Sequence, residues 1–126
     1  MEETTNFPER ADLEESGTPQ VSRTLDGDVA TVTVDGELTE AARRPLVRTM
    51  TDLLLEVPTL RQVRLDTRRV TYLNSAGTAV LVQLQKLGRP RGVEVVLIDP
   101  SSVVARPLQL SGLWHRFPVV EGPGDG

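Results

Sequence analysis

V-T-Y-L-N-S-A-G-T, residues 70–78, is the stretch around which the rest of the chain is arranged. The residues before it, Val63 to Asp66, predict a buried strand, and a run of apolar and small residues after it predicts a helix. Asn74 and Ser75 at the junction are both residue types that cap helix N-termini, and the Ala-Gly pair that follows has almost no side chain. The junction therefore offers a hydroxyl at a helix start, where a phosphate or a partner protein could be accommodated.

Upstream of this stretch the sequence predicts a β-hairpin and a helix. The two strands are Val21 to Leu25 and Val29 to Val34, and the Asp26-Gly27-Asp28 turn between them is a strong hairpin signal. A helix then begins near Ala41–Arg43 and ends by Glu56, with Thr39 before it as a capping residue and Pro45 in its first turn. Its apolar residues recur on one helical face: Leu46, Met50, Leu53, Leu54 and Val57.

The central part of the sequence predicts a strand, a connector and a buried helix. The strand is Arg61 to Asp66, and Thr67 to Leu73 is a connector in which Val70, Leu73 and Tyr72 are candidates to pack inward. The helix spans Ala76 to Leu87 and is apolar nearly all round, which predicts the most buried helix of the fold. Gly88 is the residue expected just after its end.

The remaining elements complete a β-β-α-β-α-β-α-β order. Val93 to Ile98 is nearly continuously apolar, as in a central parallel strand covered on both faces. A third helix is capped by Ser101 and ended by Gly112, with a kink or a broken last turn expected at Pro107, and Phe117 to Val120 is a final strand. This order predicts a single α/β domain with a mostly parallel central sheet and helices packed on it.

The domain boundaries follow from composition and charge. Residues 1–20 carry six acidic groups and one arginine, with few apolar residues, and are interpreted as a disordered acidic tail. Residues 21–120 form the domain, and residues 121–126 form a flexible, Gly- and Pro-rich end. The domain itself is nearly neutral, so nucleic acid is not expected as a partner.

Several function classes are disfavoured by what the sequence lacks. It has no cysteine and one histidine, which argues against a metal site, and no cofactor is expected. It contains no phosphate-binding glycine loop and no G-x-S-x-G motif around Ser75, so we do not expect an enzyme. No apolar run of bilayer length occurs, and the expected location is the cytoplasm, without a membrane partner. The parallel α/β order alone leaves a small-molecule or nucleotide-binding domain, or an enzyme, as a minor alternative.

Ser75 itself has two interpretations from spacing alone. It is a helix cap and nothing more, or it is a phosphate acceptor at a helix N-terminus, where free N–H groups and the helix dipole favour an anion. A phosphoserine there would leave the fold intact and would place new charge and bulk before a docked partner. Spacing alone favours the first interpretation, in which Ser75 is only a cap.

Three motifs in order carry a family resemblance. They are G-E-L-T at residues 36–39, V-R-L-D-T-R-R-V-T-Y-L-N-S-A-G-T at 63–78 and L-Q-L-S-G-L at 108–113. On the same order of strands and helices, they resemble STAS domains of the bacterial anti-sigma factor antagonists, over roughly residues 21–120. The resemblance implies a protein that binds an anti-sigma factor, commonly a serine kinase, and so releases a sigma factor. Phosphorylation of the serine breaks the complex and a phosphatase restores it.

The resemblance also implies which residues act. Ser75 occupies the phosphorylation position, and the residues implied at the docking surface are Gly36, Glu37, Thr39, Asn74, Ser75, Ala76, Gly77 and Thr78. Asn74 and Thr39 stand where the family usually has aspartates. They motivate the alternative that the chain is a STAS scaffold that is not phosphorylated, in a signalling assembly or as an accessory subunit of a lipid transporter. The chain is expected to be a monomer or a weak dimer.

Overall fold

The computed structural model describes residues 17–122 of the chain. Within this range the elements follow one another in the predicted β-β-α-β-α-β-α-β order. They are β1 Gln20–Asp26, β2 Val29–Leu38, α1 Arg43–Glu56, β3 Gln62–Leu73, α2 Ser75–Gly88, β4 Glu94–Ile98, α3 Ser102–Leu110 and β5 Val119–Val120. Most of the predicted acidic tail and the end of the chain from residue 123 lie outside the described residues.

The strands form one five-stranded sheet in the order β1-β2-β3-β4-β5. The pair β1–β2 is the predicted antiparallel hairpin, and the other three pairs are parallel. Each parallel neighbour is reached through a helix, as the geometry of a parallel connection requires. The predicted mostly parallel α/β sheet is therefore confirmed.

The core lies where the helices meet one face of this sheet. On β2 the alternation seen in the sequence places Ala30, Val32 and Val34 in the core. The predicted face of α1 supplies Leu46, Met50 and Leu53, and α2 and α3 join the same cluster. On β4 all four residues from Val95 to Ile98 are buried, as predicted for a central strand.

The predicted connector at Thr67 to Leu73 is wrong, because β3 continues unbroken to Leu73. Its partner β2 also runs past the predicted end at Val34, and the two extensions pair with each other after register shifts. Val70 and Leu73 do point inward, whereas Tyr72 is 50% exposed. The extension is a consequence of pairing between distant segments, which local sequence does not reveal.

The predicted role of Gly88 is also wrong, because this residue is the last of α2 and is buried. A Cβ there would lie 2.7 Å from the carbonyl oxygen of Val93 and 3.0 Å from Cε of Met50. The chain continues from α2 into the 3-10 turn Arg89–Arg91, and the left-handed residue that closes this turn is Gly92, with a φ of 70°. The N–H of Val93 bonds the carbonyl of Gly88 at 2.9 Å, which completes a Schellman-type end four residues later than predicted.

The third helix lies between the predicted end residues, and of the two outcomes expected at Pro107 the broken last turn does not occur. The helix passes through Pro107 to Leu110, so the last turn is not broken. The acceptor that Pro107 leaves without a helical partner is the carbonyl of Val103, an exposed residue where water can replace the bond. Ser101 is at the predicted N-cap position, but its hydroxyl makes no capping hydrogen bond, and Gly112, at φ 78°, follows the end of the helix.

The predicted final strand is shorter than expected. Phe117 is buried against the core, but only Val119 and Val120 pair with β4.

An ion pair on β3 predicts how stability depends on pH. Hydrogen bonds from Arg68 hold the pKa of the Asp66 carboxyl below its ordinary value, with an N–O distance of 2.8 Å. Because the pKa is lower in the folded chain, the ionised carboxylate stabilises the fold above the unfolded-state pKa of about 3.9. That contribution is lost as the pH falls through the folded-state pKa.

We expect the unfolding free energy of the wild type, measured by urea titration, to fall more steeply from about pH 5 to pH 2 than that of Asp66→Asn. Parallel pH profiles would contradict the assignment.

Candidate functional site

Asn74 is the residue that caps α2. Its backbone is extended, and its side-chain oxygen accepts a hydrogen bond from the N–H of Gly77 at 2.9 Å. Its carbonyl accepts from the N–H of Thr78 at 3.0 Å. Of the two candidate caps in the sequence, Asn74 satisfies the helix end and Ser75 becomes the first helical residue. The side chain of Ser75 is therefore free of a capping role and is exposed.

The end of β2 is fixed against this cap. Leu38 pairs with Leu73 at the end of β3, and its carbonyl accepts a hydrogen bond from the N–H of Asn74 at 3.3 Å. Gly77 then passes so close that a Cβ there would overlap the carbonyl of Leu38 and lie 2.8 Å from Cδ1 of Leu73. Only glycine permits this approach. The two predicted docking segments are thus joined through backbone contacts.

The segment after β2 has its own local geometry. Gly36 has a φ of 127°, which side chains rarely adopt, and a register shift lies between it and Glu37. The hydroxyl of Thr39 accepts a hydrogen bond from the N–H of Ala41 at 3.2 Å and so caps the 3-10 turn Glu40–Ala42 that leads into α1. The capping role predicted for Thr39 is confirmed.

The predicted site residues differ in their access to a partner. Ser75 and Glu37 are exposed. Gly77 and Thr78 are buried, so they act mainly by shaping the backbone of the site. The other predicted residues are half-buried: Gly36, Thr39, Asn74 and Ala76.

A groove beside Ser75 was not foreseen from the sequence. It lies between α2 and α3, has a volume of about 690 Å³, and we refer to it as the α2–α3 groove. Its lining is mainly apolar and includes Leu73, Ala79, Val82, Pro107 and Leu113, with Ser75 at the rim and Lys86 as its one charged residue. The signal was present as the apolar residues found all round α2. This pattern predicts burial, but Ala79 is exposed and Val82 is only half-buried.

A smaller hollow of about 400 Å³ lies on the other side of α2. Ala76 and Ala79 face it from α2, and Glu40 and Arg43 face it from the start of α1. The first turns of α2 therefore form a ridge of small side chains between two hollows. Such a ridge lets a partner approach the Ser75 hydroxyl closely.

The site lacks the groups that would make Ser75 a nucleophile. The chain's one histidine, His115, is exposed in the 3-10 turn Trp114–Arg116 and does not line the α2–α3 groove. Among residues 17–122, no three His, Cys, Asp or Glu side chains are grouped to hold a metal ion. In the same range, no helix has the length and hydropathy needed to cross a bilayer. A hydroxyl in this setting can receive a phosphate from an external kinase, because the kinase brings its own base and metal ions.

Loss of the Asn74 cap gives a testable stability change. Asn74→Ala removes the acceptor of the Gly77 N–H, and we expect it to lower the unfolding free energy by about 1 kcal/mol in urea titrations. Asn74→Asp keeps the acceptor and should remain within about 0.5 kcal/mol of the wild type. An alanine variant as stable as the wild type would show that the cap contributes nothing.

A family profile described as "Mlab, STAS domain" matches residues 21–121. No curated protein is found as a sequence relative.

Solved structures with the same fold include several anti-sigma factor antagonists. An antagonist from Mycobacterium paratuberculosis is 24% identical with a TM-score of 0.66, over 85% of this chain and 88% of that one. The antagonist SpoIIAA in its unphosphorylated form is 16% identical with a TM-score of 0.67, over 85% and 90% of the two chains. The Bacillus cell fate determinant SpoIIAA in its phosphorylated form is 14% identical with a TM-score of 0.63, over 85% and 93%. At these identities the likeness concerns the fold.

Proposed function

The chain belongs to the STAS domain family, and from this premise we propose that it is an anti-sigma factor antagonist switched off by phosphorylation of Ser75. In this role the unphosphorylated chain binds an anti-sigma factor, and the sigma factor that was held by it is released. The observation that carries the proposal is the exposed Ser75 hydroxyl at the first residue of α2, on the rim of an apolar groove.

The geometry supports a phosphate at Ser75 without loss of the fold. Asn74 already satisfies the N–H groups of Gly77 and Thr78, and the N-terminal end of the helix dipole favours a negative charge by about 0.3–1 kcal/mol. A phosphoserine adds about 1.5 to 2 negative charges. Since the side chain of Ser75 is exposed, the added group would extend into solvent and displace no core residue.

The same position explains how phosphorylation would break a complex. A partner that covers the α2–α3 groove must remove water from its apolar lining and from the Ser75 hydroxyl at the rim. A phosphate at the rim would have to be desolvated as well, and an unpaired charge enclosed in an interface costs several kcal/mol. The switch therefore acts on binding and leaves folding unchanged.

The chemistry requires two partners. A serine kinase, which in this proposal is the anti-sigma factor itself, transfers the γ-phosphoryl group of ATP to the Ser75 oxygen, and ADP and the hydroxyl proton leave. A phosphatase hydrolyses the phosphate ester and returns the hydroxyl. Both active sites belong to the partners. The role of this chain is to present Ser75 on a rigid helix start and to bind in the unmodified state, so it is proposed to be a cytoplasmic binding protein with no catalytic activity.

A second candidate function rests on Asn74 and Thr39. Both side chains serve as caps through an oxygen atom and carry no charge, so the site offers no carboxylate at these positions to an arginine of a kinase. This favours a STAS scaffold that binds its partner permanently, as in a signalling assembly or as an accessory subunit of a lipid transporter. Binding in that case would not depend on the state of Ser75.

Recovery of the native partner tests the proposal. Tagged wild type and tagged Ser75→Glu would be expressed in the native cell, and the retained proteins identified by mass spectrometry. We expect the wild type to retain an anti-sigma factor with a kinase domain and the glutamate variant to lose it. Retention of the same partner by both variants would favour the scaffold, and absence of any anti-sigma factor would contradict the proposal.

A further inference from the structure

The α2–α3 groove runs along one face of α2. Four of the residues that line it recur at helical spacing, at positions 75, 79, 82 and 86. Ser75 and Lys86 are eleven residues apart, which corresponds to about 16 Å along the helix axis. The other wall includes Pro107, Ser111 and Leu113, from α3 and the turn after it. The volume of about 690 Å³ lies within the roughly 300–1,000 Å³ that is typical of small-ligand sites.

A single positive charge stands at one end of this groove. Lys86 is its one charged residue, is exposed, and forms no salt bridge with another residue of the described range 17–122. Between Lys86 and Ser75 the lining is mainly apolar and includes Ala79 and Val82. A ligand that matches this surface has an unbranched apolar chain and one negative charge at its end.

The charges disfavour other kinds of occupant. A nucleotide carries several negative charges on its phosphates, whereas the groove offers one ammonium group. In a two-fold dimer, a second copy would bring the same surface, and none of its lining residues is a carboxylate that could pair with Lys86. A bilayer surface attracts clusters of lysine and arginine, and the groove has one such residue.

We propose that the α2–α3 groove binds a linear alkyl carboxylate. The carboxylate lies against the ammonium of Lys86, and the chain runs along Val82 and Ala79 toward Leu73. Extended dodecanoate is about as long as the distance from Lys86 to Ser75. A bound chain would exclude any partner that covers the groove. This last consequence rests on the proposed function, whereas the binding of the carboxylate does not.

Titration of the ¹⁵N-labelled full-length chain with sodium dodecanoate, below its critical micelle concentration, tests the site. In two-dimensional ¹H–¹⁵N spectra we expect saturable shifts of the amides of Ala79, Val82, Lys86 and Leu113, with a dissociation constant of about 1 mM or lower. A fully buried methylene strengthens binding about fourfold, and in an open groove about twofold is expected. Octanoate, which is four methylenes shorter, should therefore bind roughly 15-fold more weakly.

The charge of the ligand and of the groove can each be changed separately. Dodecyltrimethylammonium has the same chain with the opposite charge and should bind at least about tenfold more weakly than dodecanoate. Lys86→Gln should weaken dodecanoate binding at least about fivefold, because it removes the ammonium. Arg89→Gln removes one positive charge three residues later, outside the groove, and should leave the binding unchanged. The spectra themselves report whether each variant is folded.

The results that would overturn the proposal are equally specific. They are the absence of saturable shifts, shifts on another surface, equal affinity for the carboxylate and the trimethylammonium ion, and equal weakening by the two variants. Vesicles of phosphatidylcholine and phosphatidylglycerol distinguish a free carboxylate from a membrane surface. We expect no cosedimentation of the chain with them, and cosedimentation that Lys86→Gln abolishes would assign the groove to a lipid surface instead. The experiments use no kinase or anti-sigma factor, so their failure would leave the proposed function untouched.

Discussion

Gly77→Ala is expected to lower the free energy of unfolding by about 3 kcal/mol or more, or to prevent folding. A Cβ at this position overlaps the carbonyl of Leu38, which is backbone held by the β2–β3 pairing and by the N–H of Asn74. Overpacking costs about 1–3 kcal/mol when side chains can adjust, and here a strand would have to move. The gain in helix propensity, about 1 kcal/mol, opposes this cost and does not offset it.

Urea titration of Gly77→Ala and of a control glycine variant measures the effect. Gly27 lies in the β1–β2 turn at φ 65°, and a Cβ there meets nothing within 4 Å. Gly27→Ala introduces backbone strain without a clash, and a loss of about 1 kcal/mol is expected. Equal losses in the two variants would mean that the close approach of α2 to β2 is not what requires Gly77.

Ser75→Glu is expected to weaken binding of the native anti-sigma factor at least about 100-fold, which corresponds to roughly 2.7 kcal/mol. The carboxylate would lie on the rim of an apolar groove that the partner covers, and burial of an unpaired charge accounts for a loss of this size. The unfolding free energy should change by no more than about 0.5 kcal/mol, because the side chain is exposed at the N-terminus of a helix.

Two matched variants identify the position as the cause of this loss. Ser102 is also an exposed serine at the first position of an α-helix, but it does not line the groove. Ser102→Glu adds the same charge at the same helix position and should bind normally, as should Ser75→Ala. Isothermal titration with the purified partner would compare all three variants. Loss of binding in Ser102→Glu would indicate a general effect of charge, and full binding by Ser75→Glu would favour the permanent scaffold.

The order and type of the elements could be predicted because each has a local signal. The alternation from Val29 to Val34, the helical spacing from Leu46 to Leu53 and the Asp-Gly turn at Gly27 depend on neighbouring residues alone. The family motifs also placed Ser75 at the start of a helix, where the structure has it.

The predictions that failed concern contacts between distant segments. The far half of β3 is a strand because the end of β2 pairs with it, and Thr67 to Leu73 contains no local signal for that partner. Gly88 resembles the residue that follows a helix end, but the lack of a side chain there permits the close approach of Val93 and Met50. Gly92 closes the 3-10 turn that continues from the helix. In both cases the local sequence favours another structure, a connector or a helix end, and tertiary contacts determine the structure that forms.

Only part of the site could be predicted, because some of its features also depend on contacts between distant segments. The exposed hydroxyl of Ser75 and the caps at Asn74 and Thr39 follow from residue types. The apolar residues all round α2 are a signal for the α2–α3 groove, but the distance between α3 and α2 decides whether they are buried or line an open groove. Burial of Gly77 likewise depends on the position of Leu38. The α2–α3 groove and the burial of Gly77 together determine which residues of the 70–78 stretch a partner can contact.

Incubation of the purified chain with ATP and the proposed partner, an anti-sigma factor kinase, tests the central claim most directly. Intact mass and fragment spectra would locate the phosphate, and the binding of the phosphorylated chain would then be measured by titration. The account predicts one phosphate, on Ser75, and a complex weakened at least about 100-fold. It would be contradicted by equal phosphate incorporation into Ser75→Ala, or by undiminished binding of the chain phosphorylated on Ser75.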